Sequence, residues 1–256
     1  MRILLVEPPS YRFAGVNWNA FHLGLGYVAA VLREAGHNVS ILNANLPMSA
    51  TQKATPYQPD LMQELYYAAL NNPQHTVWQE IREQITLFRP DIVGLTMKLP
   101  DFEAGQLIAR EAKRMFLECV VVAGGPATST GLDTIMREDA IDFGVLGEGE
   151  ETVLELVRQI ESRGQDWSNI AGLAWRKEGT IVRNAMRARI DDLDRLPYPA
   201  RDALLLPVGA GQSQVSDLMG HIISSRGCPY RCAYCANHTV WGSRQVTYRS
   251  VPKVVE

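Results

Sequence analysis

The 256-residue sequence predicts an α/β fold built on a doubly wound parallel sheet. Two observations lead there. Short apolar runs without polar alternation recur through residues 1–165, as expected of strands buried on both faces. Each run is followed by a segment with apolar residues at helical spacing, and that alternation implies parallel strands with helices above and below. Apolar residues make up 46% of the chain, enough for a core of that size.

The elements follow in order. "RILLVEPP" (2–9) is an apolar run stopped by two prolines, a buried strand. In "LGLGYVAAVLREAG" (23–36), Leu25, Val28, Ala29 and Leu32 share one helical face, Arg33 and Glu34 lie opposite, and Gly36 is a helix stop. "HNVSILNA" (37–44) is the second strand, and 45–75 is an insertion with a helical piece near 60–70. Tyr66 and Tyr67 there are expected to pack on the sheet edge rather than cover a ligand. The alternation resumes with a helix at 76–88, a strand at 89–97, a helix at 102–116 and a strand at 119–126. A helix at 129–138, a strand and turn at 141–150 and a helix at 151–164 complete it. Residues 166–215 lose this rhythm: 170–184 reads as a hairpin turning at Lys177–Gly179. The segment 190–205, with Pro197 and Pro199, reads as an extended strap. Asp191, Asp192 and Asp194 within it are a solvated acidic turn rather than a metal cluster. The organisation expected is thus 1–165, a connector at 166–215, and a further region at 216–256.

Sheets of this class bind ligands in the crevice beyond the carboxyl ends of their strands. The loops leaving those ends are 7–22, 96–101, 124–130 and 147–150. The cofactor-contact positions taken from them are Pro9 and Ser10, Thr96 and Met97, Gly124, Gly125, Pro126 and Thr128, and Gly147, Glu148 and Gly149. Gly124 and Gly125 let backbone approach a bulky ligand because no Cβ intervenes. Thr128, Ser129 and Thr130 sit where hydroxyls cap a helix start, which would equally suit a phosphate.

Composition narrows the partners. A net charge of −3 gives no electrostatic case for nucleic acid. No stretch approaches the roughly 18 apolar residues that span a bilayer, and the first residues do not read as a signal peptide. A soluble cytoplasmic protein without membrane partners is the expectation. Of four cysteines, Cys228, Cys232 and Cys235 fall within "RGCPYRCAYCANH" (226–238), spaced C-x3-C-x2-C. Clustered thiols in a reducing compartment point to metal or redox chemistry. Thiolates suit both zinc and iron–sulfur clusters. With His238 as a fourth ligand, a Cys3His zinc knuckle fits the spacing as well as a cluster with one open iron does. "GHIISS" (220–225) reads as a strand whose carboxyl end launches this loop, and 249–256 as the start of a covering helix. Cys119, which opens a strand, reads as a buried structural thiol.

The loop "RGCPYRCAYCANH" resembles the cluster-binding loop of the radical S-adenosylmethionine (SAM) superfamily, with Tyr234 before the third cysteine and Arg226–Gly227 before the first. The segments "PP", "LGLGYVAAVLREAGHNV", "GGP" and "GEGE" are similar to the cobalamin (B12)-binding domain fused to one branch of that superfamily, and the strap resembles the connector of those fusions. The resemblance covers essentially the whole chain. It implies a Rossmann- or flavodoxin-like cobalamin-binding domain followed by the start of a truncated radical SAM partial barrel. It also implies a [4Fe–4S] cluster on Cys228, Cys232 and Cys235, SAM on the open iron, and Tyr234 near the adenine. In that branch a 5′-deoxyadenosyl radical and methylcobalamin together methylate an unactivated carbon of a small-molecule substrate. Electrons come from an external donor such as flavodoxin or ferredoxin. A stand-alone cobalamin-binding module and a non-methylating radical rearrangement or oxidation are the alternatives. The pattern Asp-x-His-x-x-Gly that supplies a lower cobalt ligand is absent: with Gly24 as the glycine, Phe21 and Asn19 occupy the other places and His22 is one residue off. The resemblance therefore implies cobalamin without a histidine on cobalt. A partial barrel needs about six strand–helix units, so the sequence is expected to be part of a longer enzyme.

Overall fold

The computed structural model describes residues 1–16, 20–46, 58–206 and 220–256. Parts of the 7–22 loop (Asn19 among them), of the 45–75 insertion and of the connector lie outside the described residues, as does the His238 side chain. The elements of the α/β part run β1 (Arg2–Glu7), α1 (Ser10–Phe13), α2 (Leu23–Glu34), β2 (Asn38–Asn43), α3 (Pro59–Leu70), α4 (Thr76–Phe88), β3 (Ile92–Thr96), α5 (Phe102–Met115), β4 (Val120–Gly124), α6 (Pro126–Ile135), β5 (Phe143–Val145) and α7 (Glu150–Glu161). A hairpin follows, β6 (Leu173–Lys177) and β7 (Thr180–Arg183).

These strands form one seven-stranded sheet in the order β2-β1-β3-β4-β5-β6-β7. The first five are parallel. The hairpin adds antiparallel to β5, so the sheet continues beyond residue 165. Its turn falls at Glu178 and Gly179, whose φ values of 50° and 78° are both positive, as a twist-matched two-residue turn requires. The helices divide between the faces as the apolar runs predict. Leu4, Val6, Val93, Leu95, Val121 and Ala123 pack with α4 and α5 on one side. Ile3, Leu5, Ile41, Ile92, Val122 and Val145 pack with α2 and α7 on the other. The direction in which successive strands are added reverses between β1 and β3, which are parallel, so the loops leaving their carboxyl ends part and open a crevice there.

Element boundaries shift where local chemistry demands it. Helix α6 begins at Pro126, three residues before the predicted 129, because proline suits the first helical turn. The strap holds only two 3₁₀ turns, Leu193–Arg195 and Arg201–Ala203, in keeping with its prolines. Beyond it come β8 (Ser225–Arg226), α8 (Asn237–Trp241), β9 (Thr247–Tyr248) and α9 (Val251–Val255). The strand predicted over 220–225 is thus confined to its end: the ladder partner is β9, antiparallel and two residues long. Among the described residues no helix is long and apolar enough to cross a membrane.

Candidate functional site

A cavity of about 450 Å³ occupies the crevice at the strand-order reversal. Its floor runs into the fold between the sheet and two helices: Leu5, Gly94 and Val122 face Leu25 and Val28 of α2 and Val153 of α7. The rim is made by the loops leaving β3, β4 and β5, through Thr96, Gly124, Gly125, Pro126, Gly147, Glu148 and Gly149. Ile223, Arg226, Gly227, Asn237 and Trp241 close it from the cysteine-bearing region. The site is therefore shared between the sheet and residues 220–241.

The rim is a backbone cradle. Gly125 has φ 92° and ψ −179°, and a Cβ there would lie 2.9 Å from the Met97 carbonyl oxygen. That oxygen accepts the Ala127 N–H at 2.9 Å, and the Met97 N–H donates to the Gly124 carbonyl at 2.7 Å. Gly147, at φ 72°, donates its N–H to Ser129 Oγ at 3.0 Å. An apolar slot beneath a rim of glycines suits a large, flat cofactor with one apolar end, and that description fits cobalamin. At about 450 Å³, the slot has room for one end of such a molecule.

His22 lines the same cavity and caps α2: its Nδ1 accepts the Leu25 N–H at 3.2 Å. Nε2 then carries the proton and points at Thr96 Oγ1, 3.4 Å away. Burial, assisted by the nearby Lys98 charge, lowers the imidazole pKa to about 4. Both nitrogens are thus committed in a neutral ring, which leaves no lone pair for a metal. The charge that affects it belongs to a buried cluster on the neighbouring strand ends. Lys98 Nζ contacts Glu7 Oε1 at 2.8 Å and Asp101 Oδ2 at 3.4 Å. Burial raises the pKa of both carboxyls, and Lys98 opposes the rise.

Three arginines join the cysteine-bearing region to the α/β part and the strap. Arg226 reaches Glu148 at 3.0 Å and Glu150 at 2.6 Å. Arg249 donates to the Leu193 and Leu196 carbonyls, both at 2.8 Å, and shares the Tyr27 ring with Arg226 at 5.5 and 5.1 Å. Arg189, from the strap, donates to the Arg226 carbonyl at 3.2 Å and lies 5.2 Å over Trp241.

Cys228 and Cys235 are partly exposed, Cys232 is exposed, and all are free thiols. Three unpaired thiols within eight positions fit an iron–sulfur cluster as a donor set. The structure does not gather them: among the described residues no group of three or more His, Cys, Asp or Glu side chains is placed to hold a metal ion. That holds for the acidic turn too. Asp192 accepts the Asp194 N–H at 2.9 Å, and Asp194 accepts the Ser250 N–H at 3.0 Å at the start of α9.

Of the predicted contact positions, Thr96, Gly124, Gly125, Pro126, Gly147, Glu148 and Gly149 line the cavity. Pro9, Ser10, Met97 and Thr128 do not. Strand alternation turns Met97 to the opposite face, where it is fully buried against Gly105. Thr128 is buried and returns its hydroxyl to the Gly124 carbonyl at 3.0 Å. Ser10 donates to Asp101, and Pro9 is the buried residue ahead of α1. Tyr234 is 93% exposed, away from the cavity. Tyr66 packs edge-on against Phe13 of α1 and donates to the Pro100 carbonyl at 3.0 Å, and Tyr67 is exposed. Cys119 is buried, and burial pushes its thiol up to about 11. The reading of the sequence missed His22, Val28, Val153 and Trp241 as lining residues.

Residues 16–157 match the model of the B12 binding domain family. An uncharacterised methyltransferase of Pyrococcus horikoshii is 31% identical over the full chain, which covers 49% of that protein. The cytidylyl-2-hydroxyethylphosphonate methyltransferase of Streptomyces wedmorensis is 26% identical, again over the full chain and 51% of its own length. The chain thus spans about half the length of these curated relatives. The solved radical SAM methyltransferase TsrM of Kitasatospora setae, with cobalamin and a [4Fe–4S] cluster bound, superposes with a TM-score of 0.66 at 20% identity, over 99% of this chain and 44% of that one. At that identity it shows a shared fold.

Proposed function

The chain belongs to the B12-binding domain family, and from that premise we propose that it is the cobalamin-holding part of a radical SAM methyltransferase, with its cluster ligands. The observation that carries this reading is the shared cavity: one wall is the glycine rim of the B12-binding fold, and the other leads two residues on into the cysteine loop. A cofactor at the mouth would lie beside whatever that loop holds. Cobalamin supplies a cobalt that carries a methyl group, and a thiolate-held [4Fe–4S] cluster supplies the electron that cleaves SAM.

The chain's own residues would do the positioning. Gly124, Gly125 and Gly147 would let peptide edges meet the cofactor's amides, and the slot between β1, β3 and α7 would exclude water from its apolar end. His22, neutral and capping α2, would line the site without ligating cobalt. Cys228, Cys232 and Cys235 would hold the cluster once drawn together, and Tyr234 would stand beside the adenine of SAM. The acceptor would be a small molecule, and the electron donor a flavodoxin or ferredoxin. Methyl transfer is supported by two methyltransferases that match this whole chain over about half of their own length, and the rearrangement or oxidation alternative by an anaerobic magnesium-protoporphyrin IX monomethyl ester cyclase that matches 94% of this chain.

Anaerobic reconstitution with iron, sulfide and hydroxocobalamin tests the reading. About one cobalt and four iron per desalted chain are expected, the iron being lost when the three loop cysteines are changed to alanine. Cobalt without iron would reduce the chain to a cobalamin carrier, and zinc with neither would restore the zinc-knuckle alternative.

A further inference from the structure

The contact between Arg226 and the "GEGE" turn does more than join two parts of the chain. Glu148, Glu150 and Arg226 are buried side chains, at 4%, 5% and 8% exposed, and all three line the cavity. Glu148 is fixed on its other oxygen, which accepts the Ile190 N–H at 2.6 Å. The root of the cysteine loop is held equally tightly. Gly227 has φ 96°, and a Cβ there would collide with the Gln245 carbonyl oxygen. Arg189 donates to that same oxygen and to Ser243 Oγ at 3.3 Å. Two residues on, restraint ends: Tyr230 is 73% exposed, Cys232 is exposed, and the thiols do not converge. A fixed root therefore carries an exposed tip, and three of the side chains at the root, Arg226, Glu148 and Glu150, are ones a bound molecule would touch.

We propose that Arg226, held by Glu148 and Glu150, couples occupancy of the cavity to closure of the cysteine loop. It is a positioning residue: a ligand against the guanidinium and the turn strengthens the root's attachment and restricts the tip. Coupling of this kind is reciprocal, so a metal centre assembled on the thiols tightens binding in the cavity by the same factor. The inference rests on the cobalamin reading for the identity of the ligand.

The test uses the metal-free chain and the rate at which N-ethylmaleimide alkylates each cysteine, resolved by mass spectrometry, with and without saturating cyanocobalamin. Buried Cys119 is the slow internal reference. In the wild type, cyanocobalamin is expected to slow alkylation of Cys228, Cys232 and Cys235 at least fivefold. In Arg226→Gln the ligand-free rates rise severalfold, and bound cyanocobalamin no longer slows them. Arg226→Lys keeps the charge but not the two-armed contact, and recovers only part of the protection. Should Arg226→Gln fail to fold, Glu150→Gln gives the same comparison with Arg226 still held by Glu148. Equal protection in wild type and variants overturns the proposal, as does cyanocobalamin that binds the wild type without slowing alkylation. Failure of cyanocobalamin to bind the wild type overturns the cofactor reading and the coupling with it.

Discussion

Replacing Gly125 by alanine isolates what the rim contributes. With φ 92° and ψ −179°, this residue occupies backbone space that is essentially reserved for glycine. Another residue there costs about 1–3 kcal/mol. The added Cβ also meets the Met97 oxygen at 2.9 Å, the Met97 nitrogen at 3.0 Å and Thr96 Oγ1 at 3.0 Å. Two of these three atoms are rigid backbone, so the turn must shift and weaken at least one of the Met97 hydrogen bonds, a further ~0.5–1.5 kcal/mol. The combined loss of about 2–4 kcal/mol corresponds to a fall in Tm of about 4–16 °C for a chain of this size. Cobalamin affinity should fall about tenfold or more, since the displaced backbone is the surface the cofactor rests on. Gly124→Ala is the matched control for stability: its Cβ would meet only Val145 Cβ at 3.8 Å, an ordinary contact. Thermal unfolding and absorbance titration with cobalamin, run on both variants, decide it. Gly125→Ala with wild-type Tm and Kd, or an equal fall in Tm from Gly124→Ala, would overturn this assignment.

Two further perturbations address the polar groups beside the cavity. His22 has a folded pKa near 4 against 6.5 unfolded, so the unfolded chain takes up the proton first and stability falls as pH drops from 6.5 towards 4. The full loss is at most about 3 kcal/mol, and less because the ring is only partly covered. His22→Asn keeps a cap for α2 without titrating, so its stability curve should be flatter over that window; an unchanged slope would contradict the assignment. Lys98→Met leaves Glu7 and Asp101 buried without their cation, so Tm should drop at neutral pH. The deficit relative to wild type should shrink as acid neutralises the two carboxyls, and a deficit that is constant with pH would count against this cluster.

The strands and most helices were legible because burial on both faces leaves continuous apolar runs, and α4 occupies the predicted 76–88. The rim was legible for another reason: ligands in such sheets meet the carboxyl-end loops, and Gly124–Gly125 marks where backbone must come close. Two of the positions taken from those loops, Met97 and Thr128, lie outside the cavity lining. Strand alternation sends Met97 to the far core, and the Thr128 hydroxyl satisfies its own helix start. The seam was illegible from spacing, since Arg226 meets carboxylates more than 70 residues earlier in the chain. Nor does any local pattern announce that Val153 and Trp241 share a cavity, because an apolar residue on α7 looks the same whether it faces a slot or a packed core. The hairpin was recognised, but its place as an extension of the sheet depends on β5, which nothing local encodes.

The proposed function turns on cobalamin lodging in the slot between β1, β3 and α7. Its most direct test is cobalt retained per chain after incubation with hydroxocobalamin and desalting, in the wild type and in Val153→Trp, whose indole would fill the slot from α7. The account predicts about one cobalt on the wild type and little on a variant that still shows a wild-type circular dichroism spectrum. Equal retention by both would place the cofactor elsewhere, and retention by neither would contradict cobalamin binding by this chain.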